Sequence, residues 1–258
     1  MRKLIAIMTC HRKREWADAQ RQTWVKDVVA RGYADVRFFY GRPSSAGSAY
    51  VMHDDEVWLG GDDSYRGIPL KVQAIMRWAV EHCYDVTAKC DDDVYVVPER
   101  FPSLLCDMAD YTGRFRTPYG KVYPVHFASG FFYWLRNRAM QVVADTSWNG
   151  DWMDERFVAT ALARRGMFGA HDDSYKVTGP HLPPSSVLQV GNLRHGTVFC
   201  EYGPKAMYAM HSALGRLGPV ARTPLEFTPR MMVTDAILSS RPDDDIPRHK
   251  QDRSYFVN

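Results

Sequence analysis

The sequence predicts an α/β fold with a mostly parallel sheet flanked by helices. Three observations carry that expectation. Leu4 to Met8 and Val36 to Tyr40 are short apolar runs that bracket a stretch of helical spacing, the signature of a strand–helix–strand unit. A second amphipathic stretch, 68–83, is followed at once by another strand candidate, Tyr84 to Lys89. That strand runs directly into three consecutive acids, Asp91, Asp92 and Asp93. The carboxyl ends of strands in open α/β sheets are where ligands bind.

Each element has its own reason. In the first helical stretch, Trp24, Val25, Val28 and Val29 recur at helical spacing, and Gly32 is a candidate C-terminal cap. Residues 41–64 are rich in Gly, Ser and Asp and read as loop. From 68 to 83 the apolar residues Ile68, Val72, Ile75, Met76, Ala79 and Cys83 mark one helix face. Val94 to Val97 resumes an apolar run that Pro98 stops. Residues 99–110 predict a helix with Phe101, Leu104, Leu105 and Met108 on one side. Tyr123 to Leu135 is aromatic-rich and strand-like, and 136–146 and 152–165 read as helices. From 177 onward Pro and Gly are frequent, and 241–258 reads as a polar tail.

Composition excludes several classes. The 258 residues are 45% hydrophobic and 24% charged, which is ordinary for a globular protein and argues against disorder. Lys and Arg total 33 against 30 acids, a net charge of +3, smaller than is usual for a strong nucleic-acid binder, a balance that neither demands nor excludes a polyanionic partner. The basic runs, 11–14, 136–138 and 164–165, are short and read as solvated faces. Five cysteines without paired spacing argue against a disulfide framework or a zinc knuckle. The N-terminal apolar run is too short for a signal peptide, and no stretch reaches bilayer-spanning length. The expectation is a soluble, cytoplasmic protein, unless a targeting segment precedes this chain.

The acidic triplet carries the chemistry. Phosphate-bound Mg²⁺ or Mn²⁺ takes hard oxygen ligands, commonly one or two carboxylates, and lets substrate phosphates complete the shell. Three acids between two apolar strand-like segments repel one another unless a cation compensates. A second triplet, Asp243, Asp244 and Asp245, lies between Pro242 and Pro247 with no strand before it, and reads as solvated.

Several segments, in order, resemble the β-1,3-glycosyltransferase family of β-1,3-galactosyltransferases, N-acetylglucosaminyltransferases and fringe. Arg21, Thr23 and Trp24 match its Arg-x-Thr-Trp, and 63–71 resembles its Asp-x-Tyr-x-Asn-Leu-Thr-Leu-Lys, with Gly67 and Pro69 replacing Asn and Thr. Residues 89–96 resemble Lys-x-Asp-Asp-Asp-Val-Phe-Val, and Tyr123, Pro124, Ser129, Gly130 and Tyr133 resemble Tyr-Pro…Ser-Gly-x-x-Tyr. The likeness covers about 1–211 and implies a GT-A, Rossmann-like fold. It implies an inverting transferase using Mn²⁺ (or Mg²⁺) and a nucleotide-diphosphate sugar, UDP-sugar foremost. The expected organisation is one domain over 1–240, with a nucleotide-sugar half (1–97) and an acceptor half (98–240).

By that resemblance Asp93 is the foremost metal ligand, with Asp91 and the C-terminal His211 as further ligands. Asp91 and Asp92 contact the donor's ribose and sugar. Thr9 and Arg14, in the loop after the first strand, and Arg21, Asp63, Lys71 and Lys89, in the matched segments, are the other donor-site candidates. Ser129, Gly130 and Tyr133 shape the acceptor pocket. The family's catalytic base falls in Glu-Asp-Val-Tyr-x-Gly. Here the acid pair is reversed, as Asp154 and Glu155, and the glycine is Ala159. Glu155 aligns with the base and Asp154 is the alternative.

The departures, with no membrane anchor or paired cysteines, point to a compact, soluble relative of bacterial or viral kind. The acceptor is a glycan or, as an alternative, a hydroxymethylated base in DNA. A metal-dependent nucleotidyltransferase or phosphoesterase, and a non-catalytic sugar-binding protein, are the readings from other classes.

Overall fold

The computed structural model describes residues 1–42, 50–61, 63–104, 106–116, 126–167, 169–177, 196–214 and 229–230. The tail 241–258 with its second acidic triplet, and Tyr123 and Pro124, lie outside the described residues.

Strand β1 (Lys3–Met8) sits in the middle of a nine-stranded sheet. It pairs in parallel with β2 (Asp35–Arg42) on one side and β5 (Val86–Asp91) on the other. Beyond β2 lie β4 (Glu56–Gly60), parallel, and the edge strand β3 (Tyr50–His53), antiparallel. Beyond β5 the sheet turns antiparallel at β8 (Phe127–Arg136) and β7 (Tyr111–Arg116). Strands β9 (Gly169–His171) and β12 (Pro229–Arg230) complete that edge. A small second sheet joins β6 (Tyr95–Val96), β11 (Val198–Cys200) and β10 (Tyr175–Val177).

The central strands are buried on both faces, which is why they read as continuous apolar runs rather than alternating ones. Leu4, Ala6 and Met8 pack into one core, beneath α3 (Ile68–Glu81), and Ile5 and Ile7 into the other. Helix α3 begins with Pro69 in its first turn, where no intrahelical N–H is required. It ends where Cys83 takes a left-handed φ of 58° and Tyr84 N–H bonds back to the Ala79 carbonyl. Its buried stripe includes Val72, Ile75, Met76 and Ala79, as the spacing predicts.

The first helical stretch divides into α1 (Arg14–Gln20) and α2 (Lys26–Ala30), joined by a π-type turn over Arg21–Val25. Gly32, at φ 65°, caps it as expected. After β8, α4 (Asn137–Asp145) and α5 (Asp154–Ala163) fall within the predicted 136–146 and 152–165. Helix α6 (Pro204–Leu214) packs against the α1 end of the other core.

Two expectations are corrected. The predicted helix over 99–110 is only a 3₁₀ turn, Pro98–Ser103, and Leu104 is extended. Pro102 removes an N–H and disfavours helical backbone at Phe101, and Met108 is exposed rather than packed. The loop expected over 41–64 contains β3 and β4. There Val57 and Leu59 are buried in the core beneath α3, while Glu56 and Trp58 are part-buried on the opposite face, where Trp58 packs against the other core, a period-2 pattern hidden among glycines and acids. Among the described residues no helix is long and apolar enough to cross a membrane.

Candidate active site

The parallel register sets Met8 beside Asp91, so the loop after β1 and the acidic triplet meet at the carboxyl ends of adjacent central strands. Asp92 is held from that loop. Its two carboxylate oxygens accept from Thr9 Oγ1 at 3.0 Å and from Lys13 Nζ at 2.8 Å. Burial alone lowers the Lys13 ammonium pKa, but Asp92, with smaller help from Asp93 and Asp91, holds it above its ordinary value. Lys13 lies in the basic run 11–14. No motif marks it, and only its place directly after a central strand could flag it.

Asp91 is tied from the opposite side. Lys89, 1% exposed, donates to Asp91 Oδ1 at 2.6 Å and to the Gly130 carbonyl at 2.5 Å. The same ammonium lies 3.3 Å from Asp154 Oδ2. Lys89 and Tyr133 are cross-strand partners of β5 and β8, and the Tyr133 hydroxyl donates to Asp154 at 3.2 Å. One buried cation therefore joins the triplet at the end of β5 to the acid pair at the start of α5. Desolvation opposes the charge on Lys89, and Asp154 and Asp91 more than offset it.

The start of α5 is fixed by its own turn. Asp151 accepts from the Met153 N–H at 3.1 Å and from Arg156, and its carbonyl accepts from Trp148 Nε1 at 2.7 Å. This places Asp154 and Glu155 in the first helical turn, where the helix dipole favours negative charge. Glu155 reaches toward β8 because residue 130 is glycine: a Cβ there would lie 3.1 Å from Glu155 Oε2. Burial, with repulsion from Asp154, pushes the Glu155 carboxyl up to about 8. Tyr65 and Trp152, rings 5.7 Å apart, stand as an aromatic wall beside this pair. Tyr65 is half-exposed, and after burial the Glu155 and Asp154 charges raise its hydroxyl most. Neither ring is among the sequence-predicted site residues. Ser129 is buried in β8 next to Gly130.

Asp93 differs from its neighbours. Its carbonyl accepts from the Tyr202 N–H at 2.9 Å, but its carboxylate takes no hydrogen bond or ion-pair partner among the described residues. Burial, then the charges of Asp91 and Asp92, push it up to about 7. A hard-oxygen group raised by like charges is one a divalent cation would stabilise. No three Asp, Glu, His or Cys side chains among the described residues form a ready-made metal cage.

The other candidates are placed less directly. Lys71 is buried, with Nζ 2.5 Å from both Asp63 Oδ1 and the Thr9 carbonyl, so its charge organises the loop instead of facing an open cleft. Asp63 Oδ1 also accepts from the Gly41 N–H at 2.8 Å, and its buried Oδ2 has no partner among the described residues. Arg21 is engaged by Asp18, Asp55 and Glu56, and lies over the Phe38 ring at 4.1 Å. Arg14 lies over Tyr40 and Trp58, whose rings stack 5.0 Å apart, and His11 lies 4.6 Å from Trp58. His211 is turned to other partners: Nδ1 is 3.1 Å from the Tyr95 hydroxyl and Nε2 is 3.8 Å from Asp27.

Residues 17–122 match the family model described as Galactosyltransferase. This stretch is similar to that family. It includes Arg21, Asp63, Lys71, Lys89 and the triplet, whereas Tyr133 and the acids of α5 lie beyond it. The mouse (Mus musculus) protein beta-1,3-galactosyltransferase 4 is 31% identical over 111 residues. That alignment covers 40% of this chain and 30% of the mouse protein, so the chain matches under a third of that relative's length. The fold extends further than the sequence match. A glycosyltransferase involved in the glycosylation of the major capsid of PBCV-1 superposes with a TM-score of 0.50 at 14% identity. The superposition covers 84% of this chain and all (100%) of that one, and the fold is GT-A.

Proposed function

We propose that this chain is a metal-dependent, inverting glycosyltransferase that moves a sugar from a nucleoside-diphosphate sugar, UDP-sugar foremost, to an acceptor hydroxyl. The observation that carries the reading is the Lys89 link: Asp91 of the triplet and Asp154 of the acid pair share one buried ammonium. A donor-side acid cluster and an acceptor-side acid pair are thereby held next to one another. Transfer needs this, because the leaving diphosphate and the attacking hydroxyl flank one anomeric carbon.

Asp93 is the residue that would hold Mn²⁺ or Mg²⁺, with Asp91 the nearest second carboxylate. A cation bound there supplies charge neutralisation for the leaving diphosphate. Lys13, half-exposed beside Asp92, adds a fixed positive charge on the same side. The unpartnered Asp63 Oδ2 supports a contact with a nucleoside hydroxyl, and the His11, Trp58 and Arg14 surface supports stacking of the base.

Glu155 is the general base in this scheme. Asp154 already accepts from Lys89 and Tyr133, so its part is to position Lys89 and to raise its neighbour. A carboxylate raised to about 8 is a stronger proton acceptor than an ordinary glutamate, and such help contributes ~10²–10⁴-fold. The acceptor hydroxyl loses its proton to Glu155 as the anomeric carbon exchanges diphosphate for the acceptor oxygen.

A donor screen tests the reading. Nucleoside diphosphate release is measured for a panel of nucleotide sugars with Mn²⁺, with and without EDTA, in the presence of sugar acceptors and of hydroxymethylated DNA. The expected result is release from one donor class, abolished by EDTA and accelerated by one acceptor class. Metal-independent release, or none from any donor, would overturn it.

A further inference from the structure

At the far end of α5 from the acid pair, a cleft of about 690 Å³ opens between α4 and the close of α5. It brings together two basic runs far apart in sequence. Arg138 comes from α4, and Arg164 and Arg165 from the end of α5. None of the three guanidinium groups has an ion-pair partner among the described residues. Among the described residues Asp145 is the one acid lining the cleft, and Gln141 and Ser147 add neutral polar groups. Arg164 and Arg165 have an ordinary reason to be there, since cations near a helix C-terminus complement its dipole. Arg138 does not. It lies in the first turn of α4, where the dipole disfavours a cation, and that turn holds no acid to balance it.

We propose that this cleft is a second binding site, for a phosphate-bearing small molecule of nucleotide or sugar-phosphate size. Guanidinium forks match phosphate oxygens bidentately, and three of them against one carboxylate leave a local charge of +2. The volume lies within the range of small-ligand sites and exceeds what a free inorganic ion would fill. The site is separate from the acid pair, because α5 carries Asp154 and Glu155 at its first turn and these arginines after its last.

Calorimetric titration with AMP and with inorganic phosphate, in EDTA so that metal-dependent donor binding is silent, tests the assignment. The variants are Arg164→Gln/Arg165→Gln and Arg138→Gln. Arg136→Gln, an exposed arginine that does not line the cleft, is the control. Circular dichroism confirms that all are folded. The expected result is saturable 1:1 binding of AMP by the wild type. The double variant weakens it at least 10-fold, Arg138→Gln weakens it several-fold, and the control leaves it unchanged. Saturation by AMP but not by phosphate assigns a nucleotide-sized occupant, and saturation by both assigns the phosphate as the recognised group. Absence of saturable binding, or equal loss in the control, overturns the proposal.

Discussion

The Lys89 ammonium lies 3.3 Å from the Asp154 carboxylate, and this contact ties helix α5 to the strand that ends in the acidic triplet. Lys89 is buried with no water-exposed route for its charge, so its worth is electrostatic and structural together. Removing one member of a buried ion pair leaves an uncompensated charge and typically costs ~3–5 kcal/mol. Lys89→Met is expected to lower unfolding stability by about that amount in urea. Lys89→Met/Asp154→Asn should recover part of the loss. A strictly additive double variant contradicts a shared pair.

Glu155 gives the fold a pH dependence of definite sign. Its carboxyl is raised in the folded chain to about 8, from an ordinary value of 4.5. Between those values the folded state holds a proton that the unfolded state has released, so stability falls as pH rises through the window. The contribution is on the order of a few kcal/mol. Glu155→Gln should flatten that slope between pH 5 and pH 8, read as urea midpoints across the series.

The same group sets the activity limb. A base must be ionised to accept a proton, so kcat/KM should climb with pH toward an apparent pKa near 8. Glu155→Gln should remove the limb and lower kcat by ~10²–10⁴-fold. Asp154→Asn should lower kcat less and keep a limb, moved down because the repelling neighbour is gone. Loss of the limb in Asp154→Asn alone would reverse the two assignments.

Gly130 is a close-approach glycine. A methyl group there would meet Glu155 Oε2 at 3.1 Å and press on the residue without entering the core. Gly130→Ala is expected to lower kcat by at least ~10-fold through misplacement of the base. Its cost in stability should stay within ~1–2 kcal/mol. Thermal unfolding and steady-state kinetics on the same preparation separate the two.

Much of this was legible in the sequence, for physical reasons. Central strands buried on both faces appear as unbroken apolar runs, and the triplet stood out because three acids had no business beside them without a cation. Gly130 and Tyr133 were flagged by motif, and the structure gives each a contact with the acid pair or its lysine. What escaped needed tertiary placement. Lys13 looked like one charge in a solvated run until the β1 loop met Asp92. The cleft arginines sat in two unrelated basic runs. The apolar spacing of 99–110 was real, but Pro102 overruled it. Lys71 and Arg21 carried the right charge for phosphate, yet their carboxylate partners come from segments that no local pattern links to them.

The central claim is that the Asp93 carboxylate, which has no ion-pair partner among the described residues, takes a divalent ion together with the donor diphosphate. Its most direct test is Mn²⁺ binding followed by electron paramagnetic resonance, with and without nucleoside diphosphate, in the wild type and in Asp93→Asn. The account predicts that nucleotide tightens Mn²⁺ binding in the wild type, and that the variant loses this tightening while remaining folded. Equal Mn²⁺ and nucleotide coupling in the two proteins would contradict it.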